Sequence, residues 1–175
     1  MTDTPRRITF PVHVDSRGNF TELWSDRDLA LRLGFAPTFA QDNLSESTQG
    51  VVRGLHYQAF PHGQAKLIRP VLGRIWDVVV DLRRSSPSFL AWEAFELDAA
   101  RGDALWVPEG FAHGFAVLSP MALVYYKASR VRVPEAERRI LWNDPALAIP
   151  WPIESPILSD ADRTAPRLAA SDHQP

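Results

Sequence analysis

Five histidines stand in this 175-residue chain, and two of them have neighbours that could put an imidazole to work. His56 closes the run Arg53-Gly54-Leu55-His56 and is followed by Tyr57 and Gln58. His113 ends an apolar stretch from Gly102 that Pro108 and Gly110 punctuate. An imidazole offers three chemistries: a metal ligand, a proton acceptor near neutral pH, or a buried group bonded to the backbone. His13 and His173 have no supporting context, and His62, in the turn Phe60-Pro61-His62-Gly63, reads as a solvated loop residue. On spacing alone His56 reads first as a buried structural histidine, because a lone histidine is a weak signal. His113 divides evenly between a ligand contact and a satisfied core residue.

The pattern from Gly102 to His113, G-x5-P-x-G-x2-H, resembles the second conserved motif of the cupin superfamily, small double-stranded β-helix barrels. In metal-binding cupins that histidine joins an H-x-H pair and a glutamate from the first motif. Here Gln58 stands where the second histidine of the pair would be, and no glutamate follows. A zinc or transition-metal site draws on three or more suitable ligands. His56, Gln58 and His113 are a poor set, so the expectation is no metal.

Any such site must be positioned by β-structure. The apolar runs are short: RITFPVHV, KLIRPVLGRIWDVVVDLR, FLAWEAFEL, DALWVP, HGFAVL and MALVYYKAS. Residues 74 to 81 alternate, with Arg74, Trp76, Val78 and Val80 on one face and Ile75, Asp77, Val79 and Asp81 on the other. Many short strands punctuated by prolines predict an all-β sandwich or barrel. The exception is residues 25 to 35, where Ser25 or Asp26 caps a short helix that ends at Gly34. Residues 134 to 139 suit one helical turn opened by Pro134. Residues 1–175 read as a single domain, with about 163–175 a frayed tail.

Composition narrows the class further. A net charge of −2 without a basic block gives no footprint for nucleic acid or an anionic membrane. With no cysteine, thiolate metal sites and cysteine nucleophiles are excluded. The start MTDTPRRITF lacks the apolar core of a signal peptide, and no apolar run approaches a membrane span, so the expected location is cytoplasmic.

Seven segments occur in a telling order: DSRGNFTE, QDNLSESTQGVVRGLHYQ, AKLIRPVLGRIWDVVVDLRRSSPSF, VPEGFAHGFAVL, YYKAS, WNDPALAIPWP and LSDAD. Together, from about residue 8 to about 168, they resemble the dTDP-4-dehydrorhamnose 3,5-epimerase family. The resemblance implies a cupin-type jelly-roll barrel, a nucleotide-diphosphate 4-keto-6-deoxy sugar as substrate, no cofactor, and a homodimer in which an N-terminal segment pairs with the partner's sheet. The implied chemistry is general acid–base catalysis. A ketone at C4 acidifies the hydrogens on C3 and C5, a base takes one, and an acid on the other ring face returns a proton.

The same resemblance assigns residues. His56 is the base and Asp162, the last residue of LSDAD, its carboxylate partner, where the bland alternative is a surface turn or helix cap. Tyr126 is the acid; its neighbour Tyr125 must face the other side of the strand. Both tyrosines could equally be packing aromatics. Lys66 would stabilise the enolate oxygen, against the bland reading of an edge-strand lysine. Arg17 and Arg53 match diphosphate contacts. Phe20, Glu22, Gln41 and Asn43 match positions lining the nucleotide and sugar pocket, and His113 joins the substrate-binding set. Arg53 and His56 lie three apart, which puts them on opposite strand faces unless Gly54 marks a bulge.

This chain departs from the family at Arg132, where an aromatic residue is usual. A cation there could add a phosphate contact or point to solvent. The rival functions are an epimerase acting at C3 or C5 alone, a non-catalytic sugar-binding cupin, and a metal-dependent cupin oxygenase or isomerase.

Overall fold

The computed structural model describes residues 4–170. From the N-terminus the chain forms strand β1 (Arg6–Thr9), a hairpin of β2 (His13–Asp15) and β3 (Gly18–Phe20), and helix α1 (Asp26–Leu33). Strands β4 (Gln41–Thr48), β5 (Val52–Gln58), β6 (Lys66–Leu72) and β7 (Arg74–Asp81) follow. Then come β8 (Trp92–Asp98), β9 (Asp103–Val107), β10 (Phe111–Val117), β11 (Met121–Ala128), β12 (Glu137–Arg139) and helix α2 (Asp160–Arg163). Two five-stranded sheets result, in the orders β1-β9-β6-β11-β4 and β12-β5-β10-β7-β8. This is an all-β jelly roll with two short helices: the strand pattern predicts a sandwich or barrel, and the family resemblance the jelly roll.

Side-chain alternation sorts every strand into an inner and an outer face. Ile68, Ile75, Val79, Leu105, Phe111, Phe115 and Val124 pack together between the sheets, with Tyr126 against them. The outer faces are covered as well. Leu55, Tyr57, Val78, Val80 and Ala112 meet Ile140, Leu147, Ile149 and Leu168 of the C-terminal segment. On the other sheet, Ile8, Leu67, Ala104 and Trp106 meet Leu29 and Leu33 of α1. Double-sided burial explains why these strands read as apolar runs rather than clean alternation.

Helix α1 is bounded as its sequence predicts. The Ser25 side chain accepts from the Asp28 N–H, and Gly34 closes the helix in the left-handed region at φ 81°. Three expectations change. The run RITFPVHV breaks at Pro11 into β1 and β2. Pro134–Ala136 forms a 3-10 turn. Residues 163–170 do not fray: the Leu168 N–H donates to the buried Asp144 carboxylate at 2.6 Å, and the Leu141 N–H to the Pro166 carbonyl. The remainder of the expected tail, 171–175, lies outside the described residues.

Candidate active site

Leu55 and Tyr57 point outward from β5 into the C-terminal cluster, so His56 between them faces the interior. Its Nε2 lies 2.6 Å from Asp162 Oδ1. Asp162 comes from α2, whose Ser159 cap accepts the Asp162 N–H. Burial pushes the Asp162 carboxyl up, but hydrogen bonding and charge from His56, with Ser159 and Arg139, hold it below the usual carboxylate range. An ionised carboxylate only accepts, so Nε2 carries the proton and the lone pair of a neutral ring sits on Nδ1.

Arg53 and His56 do share the interior. Across β10, His113 pairs with His56 and Phe115 with Arg53. One residue of β10, Gly114, therefore lies opposite two of β5, Gly54 and Leu55, which is the extra residue of a bulge. Gly54 sits in it at φ 130°, and a Cβ there would lie 2.5 Å from Gly114 Cα. The bulge restores Arg53 to the inner face, where it lines a cavity of about 200 Å3 with Ser45, His56, Lys66, His113, Phe115 and Tyr126. The Arg53 guanidinium is held from behind by Ser47 Oγ at 2.9 Å and the Glu46 carbonyl.

The cavity has two chemically distinct walls. Lys66 on β6 and Tyr126 on β11 belong to one sheet, while His56 on β5 and His113 on β10 belong to the other. The base and acid candidates thus face each other across one space. Tyr125 points away, into a hollow on the outer face. Burial, then the Glu137 charge, raises the Tyr126 phenol above its ordinary range. Burial lowers Lys66 to about 8, against the opposing pull of Asp77 and Glu137. His113 Nε2 lies 2.9 Å from Oδ2 of the fully buried Asp77. The other Asp77 oxygen has no hydrogen-bond partner. Among the described residues, no group of three or more His, Cys, Asp or Glu is placed to hold a metal ion.

Gln41, Asn43, His56, Lys66 and Tyr126 also line the outer part of the pocket, with Arg132 and Glu137. Gln41 donates to Asn43 Oδ1 at 2.7 Å, and the Asn43 amide nitrogen is left buried without a partner. A family model described as dTDP-4-dehydrorhamnose 3,5-epimerase matches residues 5–170. The enzyme of that name from Shigella flexneri is 43% identical over 174 residues, 98% of this chain and 96% of that protein. A crystal structure of the Bacillus anthracis enzyme with TDP and PPi bound superposes with a TM-score of 0.89 at 45% identity, covering 94% of each chain. One from Legionella pneumophila, in complex with dTDP-4-keto-L-rhamnose, gives 0.90 at 41% identity over 95% of this chain and 88% of the other.

The chain belongs to the dTDP-4-dehydrorhamnose 3,5-epimerase family.

Within that family's pattern, one group of expected site residues does not join the pocket of its own chain. Arg17 sits at the tip of the β2–β3 hairpin, ion-paired to Asp15, and Phe20 on the same hairpin is 69% exposed. Glu22 lies just beyond, and its carbonyl accepts from Arg69 on the outer side of β6. The sheet itself separates these three from the cavity. Arg132, expected free for substrate or solvent, is bound to Glu137 at 2.5 Å.

Sequence reasoning missed several residues that build the site, four of them polar: Glu137, Asp77, Ser45 and the structural role of Gln58. Glu137 lies in a charged run, ERR, with nothing to mark it as inward. Asp77 was legible as the same-face neighbour of Ile75 and Val79, and a carboxylate on an apolar face was the signal. Ser45 lies on β4, a strand too polar to announce itself. Gln58, noted only as a missing metal ligand, ties down a loop: its Oε1 accepts the Val133 N–H at 2.6 Å and its Nε2 donates to the His62 carbonyl.

Proposed function

We propose that this epimerase inverts C3 and C5 of dTDP-4-dehydro-6-deoxyglucose to give dTDP-4-dehydrorhamnose, as a step of dTDP-rhamnose biosynthesis. The carrying observation is that His56 and Tyr126 enter one cavity from facing sheets. A sugar ring between them has a base on one face and an acid on the other.

His56 Nδ1 takes the proton from the carbon beside the C4 ketone, and Asp162 offsets the imidazolium charge through Nε2. The electron pair moves to the C4 oxygen, where the Lys66 cation stabilises it. Tyr126 returns a proton to the same carbon from the opposite face. The phenolate then regains a proton as His56 loses one to solvent, and the cycle repeats at the second carbon. The chemistry calls for no metal, nicotinamide or flavin. The unpaired donors of Asn43 and Ser45 suit sugar oxygens, His113 suits a sugar hydroxyl, and Arg53 suits a phosphate oxygen.

The nucleotide end draws on a second chain. One cupin-type domain spans this chain, and two chains form a homodimer in which Arg17, Phe20 and Glu22 serve the partner's pocket. Support comes from the outer face of the β6 sheet, where a hollow of about 610 Å3 is lined by Thr21, Leu23, Leu44, Leu72 and Tyr125. Leu23, Leu44 and Leu72 are exposed in it, and such an apolar patch suits a subunit contact. The location we assign is cytoplasmic, on the ground that the substrate is a water-soluble nucleotide sugar. Among the described residues no helix is long and apolar enough to cross a membrane.

Proton NMR of the substrate in deuterated water tests the reading. Deuterium should enter both C3 and C5 with inversion, and His56→Ala should abolish exchange while nucleotide binding persists. Exchange at one carbon would restrict the activity to that carbon. Exchange undiminished in His56→Ala would remove His56 as base.

A further inference from the structure

Among the described residues, Glu137 is the one carboxylate lining the outer part of the pocket, a difficult place for it in an enzyme with an anionic substrate. It lines the pocket with His56, Lys66 and Tyr126, and its charge is felt at all three. The reaction as proposed brings a diphosphate to this pocket and builds negative charge on the sugar. An unmatched carboxylate would oppose both.

Arg132 is positioned to match it. Its guanidinium lies 2.5 Å from Glu137 Oε2, while Arg139 stands further off, 3.6 Å from Oε1. The placement is built rather than incidental. The Arg132 N–H donates to Gln41 Oε1 at 2.8 Å, and the next residue, Val133, donates to Gln58 Oε1 at 2.6 Å. Two inward-facing glutamines therefore fix the backbone that carries this side chain. Gln41 also holds Asn43, so the loop and the sugar-facing donors share one network.

We propose that Arg132 is a positioning residue that serves the reaction as the counter-ion of Glu137, shielding the incoming diphosphate sugar from that carboxylate rather than binding phosphate itself. This rests on the epimerase reading above. It separates two roles that an exposed arginine near a phosphate subsite would otherwise blur.

A double-mutant cycle distinguishes them. Arg132→Gln should raise KM on the order of tenfold at low salt, the effect near a dianion of a carboxylate left with only the more distant Arg139, and the defect should shrink as salt rises. Adding Glu137→Gln to that chain should bring KM back to within about twofold of the Glu137→Gln single variant. A defect that persists undiminished when Glu137→Gln is also present would overturn the proposal, because a direct phosphate contact does not need Glu137. So would an Arg132→Gln enzyme with wild-type KM.

A second readout needs no turnover and so separates this proposal from the epimerase reading. The Tyr126 phenol, isolated by difference from Tyr126→Phe, faces Glu137, Arg132, Arg53, Lys66, His56 and His113. Its absorbance titration should move to higher pH in Arg132→Gln and return in the double variant. A titration that Arg132→Gln leaves unmoved would mean Glu137 was never unmasked. Failure of wild-type deuterium exchange, by contrast, would sink the substrate assignment and leave this titration to decide the role of Arg132.

Discussion

A lysine drawn between two sheets loses hydration that favours its charge, and Lys66 is the residue where this matters most. Burial lowers it to about 8 even though Asp77 and Glu137 pull the other way. The cation that would stabilise the enolate is therefore present below that pH and lost as pH rises through it. Tyr126 must stay protonated to act as acid, but burial raises its phenol, so its loss comes at higher pH. The alkaline limb of kcat/KM should thus fall near pH 8 and belong to Lys66. In Lys66→Arg that limb should move well upward, since guanidinium keeps its charge. Lys66→Met should cost roughly 100- to 1,000-fold in kcat. A limb unmoved in Lys66→Arg would assign it elsewhere. The individual residues were only partly legible in the sequence. A histidine, a lysine and two adjacent tyrosines carry no mark of role, and the family resemblance, not spacing, picked them out. Asp162 lies more than a hundred residues from His56, a pairing that only the folded chain makes.

The strands decide which of these residues meet, and the most consequential device is one glycine. Because Arg53 and His56 are three apart, a regular β5 would turn one of them into the C-terminal cluster. Gly54 prevents this by accepting a left-handed φ of 130° with its Cα against Gly114. A methyl at that position meets backbone on the facing strand, at 2.5 Å from Gly114 Cα and 2.9 Å from the His113 carbonyl, and neither can rotate away. Gly54→Ala should therefore cost about 2–4 kcal/mol of stability and most of the activity. Gly34→Ala provides the contrast. Its φ of 81° is also strained for alanine, but nothing lies within 4 Å of the new Cβ. It should lose about 1 kcal/mol and keep its turnover. Thermal melts and initial rates of the two variants check both expectations, and an active, stable Gly54→Ala would dissolve the bulge argument. Spacing raised this bulge once the resemblance wanted two out-of-phase residues in one pocket. The same logic could not find β4, whose QDNLSEST has no apolar period. That strand sits at a sheet edge with its odd-numbered polar residues turned inward, so burial there is polar and leaves no hydrophobic signature.

At the scale of the molecule, one chain brings together the proposed acid, base and cation but leaves Arg17, Phe20 and Glu22 on the wrong side of its own sheet. Thr21 and the Glu22 carbonyl are bound to Arg69, while Ile68, its neighbour on β6, packs into the core between the sheets on the other side. No local hinge brings this hairpin through the sheet, so a second copy must receive it if these residues touch substrate at all. The family resemblance named the three residues but not which copy of the pocket they would serve, since a subunit contact would leave no mark on one chain's periodicity. Complementation settles the matter. His56→Ala and Arg17→Ala should each be nearly inactive alone. Co-expressed, half the dimers are mixed, and each mixed dimer has one pocket with both residues intact. Activity should recover to about one quarter of wild type by this statistical count. Recovery should vanish if Leu44→Glu, placed in the apolar hollow, prevents the chains from associating, which sedimentation would show directly. If mixing restores nothing beyond the sum of the parents while the dimer stays intact, the hairpin does not serve its partner, and Arg17 leaves the site.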